Sequence, residues 1–172
     1  ASACLTNRDL LERVRATKKP VILSTGGSTM EQIEAAVQVL GTDDLILLHC
    51  VAEYPILDED TNLAMIGTLR HVYPHVPVGF SSHSIDIFPP VAAVAMGACV
   101  VEAHLTLDQH LPGSDHKASL VPDQFARMVD EIRRFERLHG DGVKRVCPGE
   151  VGVMKKLRRV DDLLVNKEGG LV

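Results

Sequence analysis

The chain has 172 residues, of which 45% are hydrophobic and 24% are charged, a composition typical of a folded protein and not of a disordered one. Its net charge of −5, together with 3% aromatic residues and no Trp, argues against nucleic-acid binding, which needs a basic surface and stacking rings. No apolar run reaches the roughly 20 residues that cross a bilayer, and no signal-peptide pattern opens the sequence. We therefore expect a cytoplasmic protein whose four scattered cysteines are buried, reduced thiols.

The predicted elements alternate between short apolar runs and amphipathic helical segments. A helix containing Leu10, Leu11 and Val14 comes first, with no strand before it. Four pairs follow, with apolar runs at 21–23, 45–48, 77–80 and 99–101 and helical faces at 33–40, 63–69, 91–96 and 125–135. Because nearly continuous apolarity is typical of strands covered on both faces, this order predicts an α/β fold with a parallel sheet and crossover helices.

Local signals mark where helices begin and end. Ser28 followed by Glu31 predicts a capping box, and Pro122 predicts the first turn of the last helix. From about residue 140 the chain is polar, and we expect Pro148–Gly149 and Gly169–Gly170 to interrupt any regular element. The apolar runs start 24, 32 and 22 residues apart, as βα units do. Since a full (β/α)8 barrel takes about 250 residues, the chain is expected to hold roughly half of one.

Polar residues follow every apolar run, where the carboxyl ends of parallel strands collect reactive groups. They are Ser24–Gly27, His49–Cys50, Ser81–Ser84 and Glu102–His104. His83 and His104 are expected at the same end of adjacent strands, where two imidazoles can bind one divalent metal while water and substrate supply the other ligands. The alternative is that each histidine only bonds a loop carbonyl.

Further polar groups are expected around the same barrel mouth. Ser24, Ser81 and the N–H groups near Gly26 can cradle a phosphate, although Ser-Thr-Gly before a helix is equally a cap and turn. Asp115 is expected over the barrel mouth in the loop Pro112–His116, but a tight turn alone would explain the Pro and Gly of that loop. Tyr54 follows the second strand and can donate to a substrate hydroxyl, or can simply be an exposed loop residue.

Five ordered motifs carry a resemblance to a known family. They are Lys19–Gly26, Leu48–Cys50 with Tyr54–Pro55, Gly79–His83, Glu102–Asp108, and Pro112–His116 with Ser119–Leu120. From residue 1 to about residue 139 the sequence resembles the sialic acid synthase family, including the synthases of legionaminic, pseudaminic and spore-coat sugars. The resemblance implies that residues 1–140 are about the last four to five βα units of a TIM-type barrel. Residues 141–172 then look like a linker toward a C-terminal antifreeze-like domain.

The resemblance also implies an activity, the condensation of phosphoenolpyruvate with an N-acylated amino sugar such as N-acetylmannosamine. The family's two metal-binding histidines match His83 and His104, around manganese as a rule or magnesium, and these two residues with Asp115 form the implied catalytic set. The phosphate-binding serines match Ser2, Ser24 and Ser81, and the sugar contacts match Tyr54 and Asp115. The metal polarises the sugar aldehyde, C3 of phosphoenolpyruvate attacks it, water takes the cation at C2, and phosphate leaves.

Three positions depart from the family pattern. Ser82 stands where the family commonly has Asp, Ala52 replaces a polar residue, and Cys4 replaces a Glu, which points away from the N-acetylmannosamine enzymes. The family's first strands, with a phosphate-binding Lys and a carboxylate, find no match in the chain. Neither does the antifreeze-like domain, which donates an Arg across a dimer.

Three hypotheses follow from the sequence. The first is an enzyme fragment that needs the other barrel half for activity on its small-molecule substrates. The second is a non-catalytic half-barrel that associates with a second copy and so covers its open sheet edges. The third is a complete doubly wound domain with one phosphate site, which would not need four polar strand ends.

Overall fold

A four-stranded parallel sheet forms the centre of the fold, in a computed structural model that describes residues 1–158. The strands are β1 (Val21–Ser24), β2 (Leu45–Cys50), β3 (Val78–Ser82) and β4 (Val101–Ala103), and they lie side by side in chain order. A parallel bridge between Leu105 and Leu120 continues the sheet beyond β4. The sheet curls as half of a TIM-type barrel, so the predicted α/β partial barrel is confirmed.

One helix precedes the sheet, three connect its strands as crossovers, and one follows its last strand. They are α1 (Arg8–Ala16), α2 (Met30–Leu40), α3 (Ala64–Val72), α4 (Phe88–Ala95) and α5 (Pro122–His139). The first unit of the chain comprises Ala1–Leu138, and a second unit begins at His139 and contains α6 (Pro148–Leu157). Within residues 1–158, no helix combines the length and the apolarity that a membrane span requires.

The apolar faces of the helices pack on the sheet in two clusters. The first joins Leu11 of α1 and Ile33 and Val37 of α2 to Leu23 and Leu47 of β1 and β2. The second is built from α3, α4 and β3 and contains Ile66, Leu69, Val78, Phe80 and Ala93. The spacing of three and four residues between these helical positions puts each set on one face, which is why the sequence predicted these helices.

The sheet register places the ends of neighbouring strands level with each other. Cys50 of β2 pairs with Ser81 of β3, and Ser81 pairs with Glu102 of β4. Side chains on a strand alternate between its two faces, so residues two positions further along, such as His83 and His104, share the face of Ser81 and Glu102. The register therefore brings the predicted site residues together.

Several sequence predictions were wrong in detail. The capping box lies one residue later than predicted: the Thr29 hydroxyl accepts from the Gln32 N–H, and the Gln32 side-chain oxygen accepts from the Thr29 N–H. Strand β4 is Val101–Ala103 and not 99–101. Pro148 and Gly149 begin α6 instead of interrupting it, because Pro fits the first helical turn. The predicted break at Gly169–Gly170 lies outside the described residues.

The cysteine prediction holds for one residue. All four thiols are free, but only Cys50 is buried, whereas Cys99 and Cys147 are exposed and Cys4 is partly covered. Cys99 precedes β4, at the amino end of the sheet. An apolar run alone did not distinguish a strand interior from the turn that leads into it.

Candidate functional site

A cavity of about 650 Å³ opens at the carboxyl ends of the strands. The predicted residues Ser2, Ser24, Tyr54, Ser81, His83 and His104 all line it. Asp115 does not belong to this lining; it begins a short 3-10 turn, Asp115–Ala118, on the way to α5. Six of the seven residues predicted from the sequence therefore meet in one cavity.

His83 and His104 stand side by side, with their ring centroids 5.3 Å apart. His83 Nδ1 lies 2.6 Å from the carbonyl oxygen of Val51. Because a carbonyl can only accept, Nδ1 carries the hydrogen, and the lone pair of Nε2 is left for another partner. The loop-carbonyl bond that the sequence posed as an alternative to metal binding is thus present at one ring nitrogen, and it orients the other.

Burial is the largest cause of a lowered pKa at His83, whose side chain is 5% exposed. The bond to Val51 and the charges of Glu102 and Asp115 act in the opposite direction, while the neighbouring His104 lowers the pKa further. The neutral imidazole is therefore favoured. A neutral ring is the form that binds a metal.

Tyr54 covers the histidine pair from the loop after β2. Its ring centroid lies 3.8 Å from that of His83 and 5.9 Å from that of His104. Desolvation is the first cause of a raised pKa of the Tyr54 phenol, and the nearby Cys50 and Asp115 add to it. The phenol accordingly stays protonated and able to donate, and about half of the side chain is exposed toward the cavity side.

His49, by contrast, points to the opposite face of β2 and supports this loop from behind. Its Nε2 donates to the Thr61 carbonyl at 2.9 Å, and the Thr61 hydroxyl donates to the Leu57 carbonyl. Burial lowers the pKa of His49. This residue follows an apolar run as the predicted site residues do, but strand alternation places it outside the cavity.

A polar layer lies directly below the histidine pair. The Ser81 hydroxyl donates to Glu102 Oε1 at 2.7 Å, and Cys50 is next to Ser81 in the register. Burial raises the pKa of the Cys50 thiol, and hydrogen bonds from Ser81 and Ser2 partly oppose that rise. Glu102 lines the cavity and was not singled out from the sequence. Its position two residues before His104 on a strand was the signal that could have identified it.

The residues predicted to cradle a phosphate all line the cavity. The Gly26 N–H donates to the Ser2 hydroxyl at 2.9 Å, so this amide is already used, and the Ser2 hydroxyl also forms a hydrogen bond with the Cys50 thiol. A side chain at Gly26 would approach Ser2 Oγ to 2.9 Å and Cys50 Sγ to 3.1 Å. The close packing of Ser2 against this turn therefore requires glycine.

The cavity offers two imidazoles as possible metal ligands, so a metal bound there would take most of its other ligands from water, from substrate or from outside this chain. No cluster of three or more His, Cys, Asp or Glu side chains able to hold a metal exists within residues 1–158. The two imidazoles lie side by side, and His83 Nδ1 donates to a carbonyl as metal-binding histidines commonly do, which leaves Nε2 available to a metal. The charge of Asp115 acts to raise the pKa of His83, and its Oδ1 accepts from the Ser114 hydroxyl.

Comparison with known proteins identifies the relatives of this chain. An uncharacterised protein of Methanocaldococcus jannaschii is 47% identical over 162 residues, covering 92% of this chain and 48% of that protein. The N,N'-diacetyllegionaminic acid synthase of Legionella pneumophila is 36% identical, covering 90% of this chain and 45% of the enzyme. The crystal structure of the N-acetylneuraminic acid synthetase of Leptospira borgpetersenii superposes with a TM-score of 0.80 at 36% identity, covering 92% of this chain and 57% of that one.

The chain spans about half the length of the curated relatives it matches. The sequence profile of the NeuB family matches residues 1–144, which is most of the described structure and the whole of the half-barrel. Other relatives include an N-acetylneuraminate-9-phosphate synthase, a pseudaminic acid synthase and a spore coat polysaccharide biosynthesis protein. The sequence resemblance is thereby confirmed, and the chain belongs to the NeuB family.

Proposed function

We propose that this chain is the C-terminal half of the catalytic barrel of a sialic acid synthase-type enzyme. The reaction joins phosphoenolpyruvate to an N-acylated amino sugar and yields a nonulosonic acid and phosphate. The observation that carries the proposal is the pairing of His83 and His104 beside Tyr54 at the carboxyl ends of parallel strands. Family membership supports the same reaction class.

We propose that His83 and His104 hold a divalent metal, manganese or magnesium. When bound, such a metal acts as a Lewis acid on the carbonyl oxygen of the sugar aldehyde. Two protein ligands leave open positions for water and for substrate, the arrangement that catalytic sites use. The Val51 carbonyl holds the His83 ring in the required orientation.

The other cavity residues orient the two substrates. Ser24 donates its hydroxyl hydrogen to the phosphate, and Ser2 and Ser81 join it when their hydroxyls turn away from Cys50 and Glu102. Tyr54 donates to a sugar hydroxyl, and Asp115 accepts from one. A new bond then forms between C3 of phosphoenolpyruvate and the aldehyde carbon, water adds at C2, and the C2–O bond to phosphate breaks to leave the 2-keto acid.

A second function is favoured by the open edges of the sheet. Ile22 of β1 is 52% exposed, and Leu105 and Leu107 beyond β4 are 59% and 85% exposed. A half-barrel without activity that pairs with a second copy would cover these edges. Light scattering separates the two functions, because a stable monomer contradicts pairing. A cytoplasmic location suits either function and is proposed with them.

A chimera tests the proposed reaction. Residues 1–139 would replace the matching segment of the Legionella relative, and phosphate release from phosphoenolpyruvate would be measured with and without N-acylated amino sugars. We expect release that depends on the sugar, that His83→Ala removes, and that His110→Ala retains, because His110 is 94% exposed and lies outside the cavity. A folded chimera that releases no phosphate with any such sugar would contradict the proposal.

A further inference from the structure

A second cavity, of about 630 Å³, opens at the amino ends of β3 and β4. It is lined by Arg70 and His71 near the end of α3, by the segment 73–78, and by Gly97 and Cys99 ahead of β4. The histidine pair of the proposed active site lies beyond the carboxyl ends of the same strands. The two cavities are therefore at opposite ends of the sheet and share no lining residue.

The lining of this cavity is basic in a chain whose net charge is −5. Arg70, His71 and His75 contribute to it, and none of its described lining residues is acidic. Arg70 forms no salt bridge or hydrogen bond to any residue in 1–158. By contrast, Arg8, Arg133, Arg134 and Arg145 are all paired with carboxylates.

The Arg70 guanidinium lies against the backbone at Gly97. Gly97 has φ +100°, and a side chain there would collide with the guanidinium of Arg70. Positive charge in the last turn of a helix is favourable against the helix dipole, which accounts for a basic residue at the end of α3. Gly97 follows α4 in the left-handed conformation that ends many helices, which accounts for the glycine. Neither feature accounts for the two histidines around the same cavity.

We propose that this cavity binds the phosphate group of a small molecule, or free phosphate, through Arg70. The planar guanidinium offers a fork of N–H donors that matches phosphate oxygens in pairs. His71 and His75 flank it and offer ring N–H donors. The site is separate from the proposed active site, and its occupancy does not depend on the catalytic function.

Cys99 supplies the reporter for this site. Its thiol is exposed, lines the cavity, and donates to the Val78 carbonyl at 3.2 Å. The rate of its alkylation by iodoacetamide would be followed by peptide mass mapping, in phosphate and in chloride at equal ionic strength. With a Kd of about 1 mM, 10 mM phosphate should slow the reaction about tenfold. The exposed Cys147 is the control thiol, and its rate should not change.

Two variants test whether the protection of Cys99 from alkylation comes from phosphate bound in this cavity. Arg70→Gln should react at the same rate in phosphate and chloride, whereas Ser24→Ala should keep the protection, because Ser24 belongs to the other cavity. Circular dichroism would establish that both variants are folded. Protection by glucose 6-phosphate in place of inorganic phosphate would identify a phosphorylated metabolite as the ligand class; protection by inorganic phosphate alone would identify the free ion. Equal rates in phosphate and chloride for the unchanged chain, or undiminished protection in Arg70→Gln, would overturn the proposal.

Discussion

Gly79 sets how closely β2, β3 and β4 approach each other below the histidine pair. A Cβ at this position would lie 2.5 Å from the Val100 carbonyl oxygen and 2.6 Å from Leu48 Cδ2. An ordinary contact begins near 3.4 Å, so β4 would have to move by about 0.9 Å. The Phe80 N–H to Val100 O bond, now 2.8 Å, would then stretch beyond hydrogen-bonding distance.

The cost of Gly79→Ala follows from these two changes. Overpacking costs about 1–3 kcal/mol and the lost backbone bond about 1 kcal/mol, so the free energy of unfolding should fall by about 2–4 kcal/mol. With a urea m-value of about 2 kcal/mol per M, the midpoint of urea unfolding should drop by about 1–2 M.

Gly67→Ala is the matched control for that measurement. Gly67 lies within α3, and a Cβ there meets nothing within 4 Å. The substitution should raise the free energy of unfolding by about 0.5–1 kcal/mol, because alanine favours the helix. Urea unfolding followed by circular dichroism compares the two variants. If Gly79→Ala unfolds at the same urea concentration as the unchanged chain, the close strand packing described here is incorrect.

Three further predictions concern a cap, a loop support and a thiol. Thr29→Ala should lower the free energy of unfolding by about 1 kcal/mol in urea titrations, and Ser28→Ala should have a much smaller effect, because Thr29 is the N-cap of α2. Burial lowers the pKa of His49, so the folded state disfavours its protonation. The free energy of unfolding should therefore decrease as pH falls below the ordinary histidine pKa of about 6.5. In His49→Gln, the midpoint of urea unfolding should depend less on pH between pH 7 and pH 5. Cys50 should react with a thiol reagent far more slowly than Cys99 at pH 8, because burial raises its pKa and blocks access.

Each of these has an outcome that contradicts it. A loss from Ser28→Ala as large as that from Thr29→Ala would contradict the assignment of the cap to Thr29 alone. An unchanged pH dependence in His49→Gln would mean that His49 contributes no proton-linked stability. A Cys50 thiol as reactive as Cys99 would show that the floor of the cavity is open to reagents.

Local sequence patterns predicted the order and type of the elements because each helix and strand buries a continuous apolar face. They could not choose between Ser28 and Thr29 as the cap, since Ser28 with Glu31 and Thr29 with Gln32 both fit the capping-box pattern. In the fold, the Ser28 hydroxyl is directed to the Gly26 carbonyl, and Thr29 takes the cap. The start of β4 likewise depends on its pairing with β3, a long-range contact that a local pattern does not contain.

The histidine pair was predictable because both residues follow apolar runs at the same strand ends. The bond between Ser81 and Glu102 was not, because it depends on the register between β3 and β4. The same limit applies to the basic cavity, where Arg70 of α3 meets Gly97 only after α3 and α4 have both packed around β3. The sequence of one helix or strand predicts which of its residues share a face, whereas contacts between elements depend on how the sheet is assembled.

Isothermal titration of the chain with Mn²⁺ tests the central claim most directly, namely that His83 and His104 form one metal site. We expect saturable binding of one ion per chain, lost in both His83→Ala and His104→Ala and retained in His110→Ala, whose imidazole is exposed outside the cavity. Absence of binding, or binding that survives the loss of either cavity histidine, would contradict it.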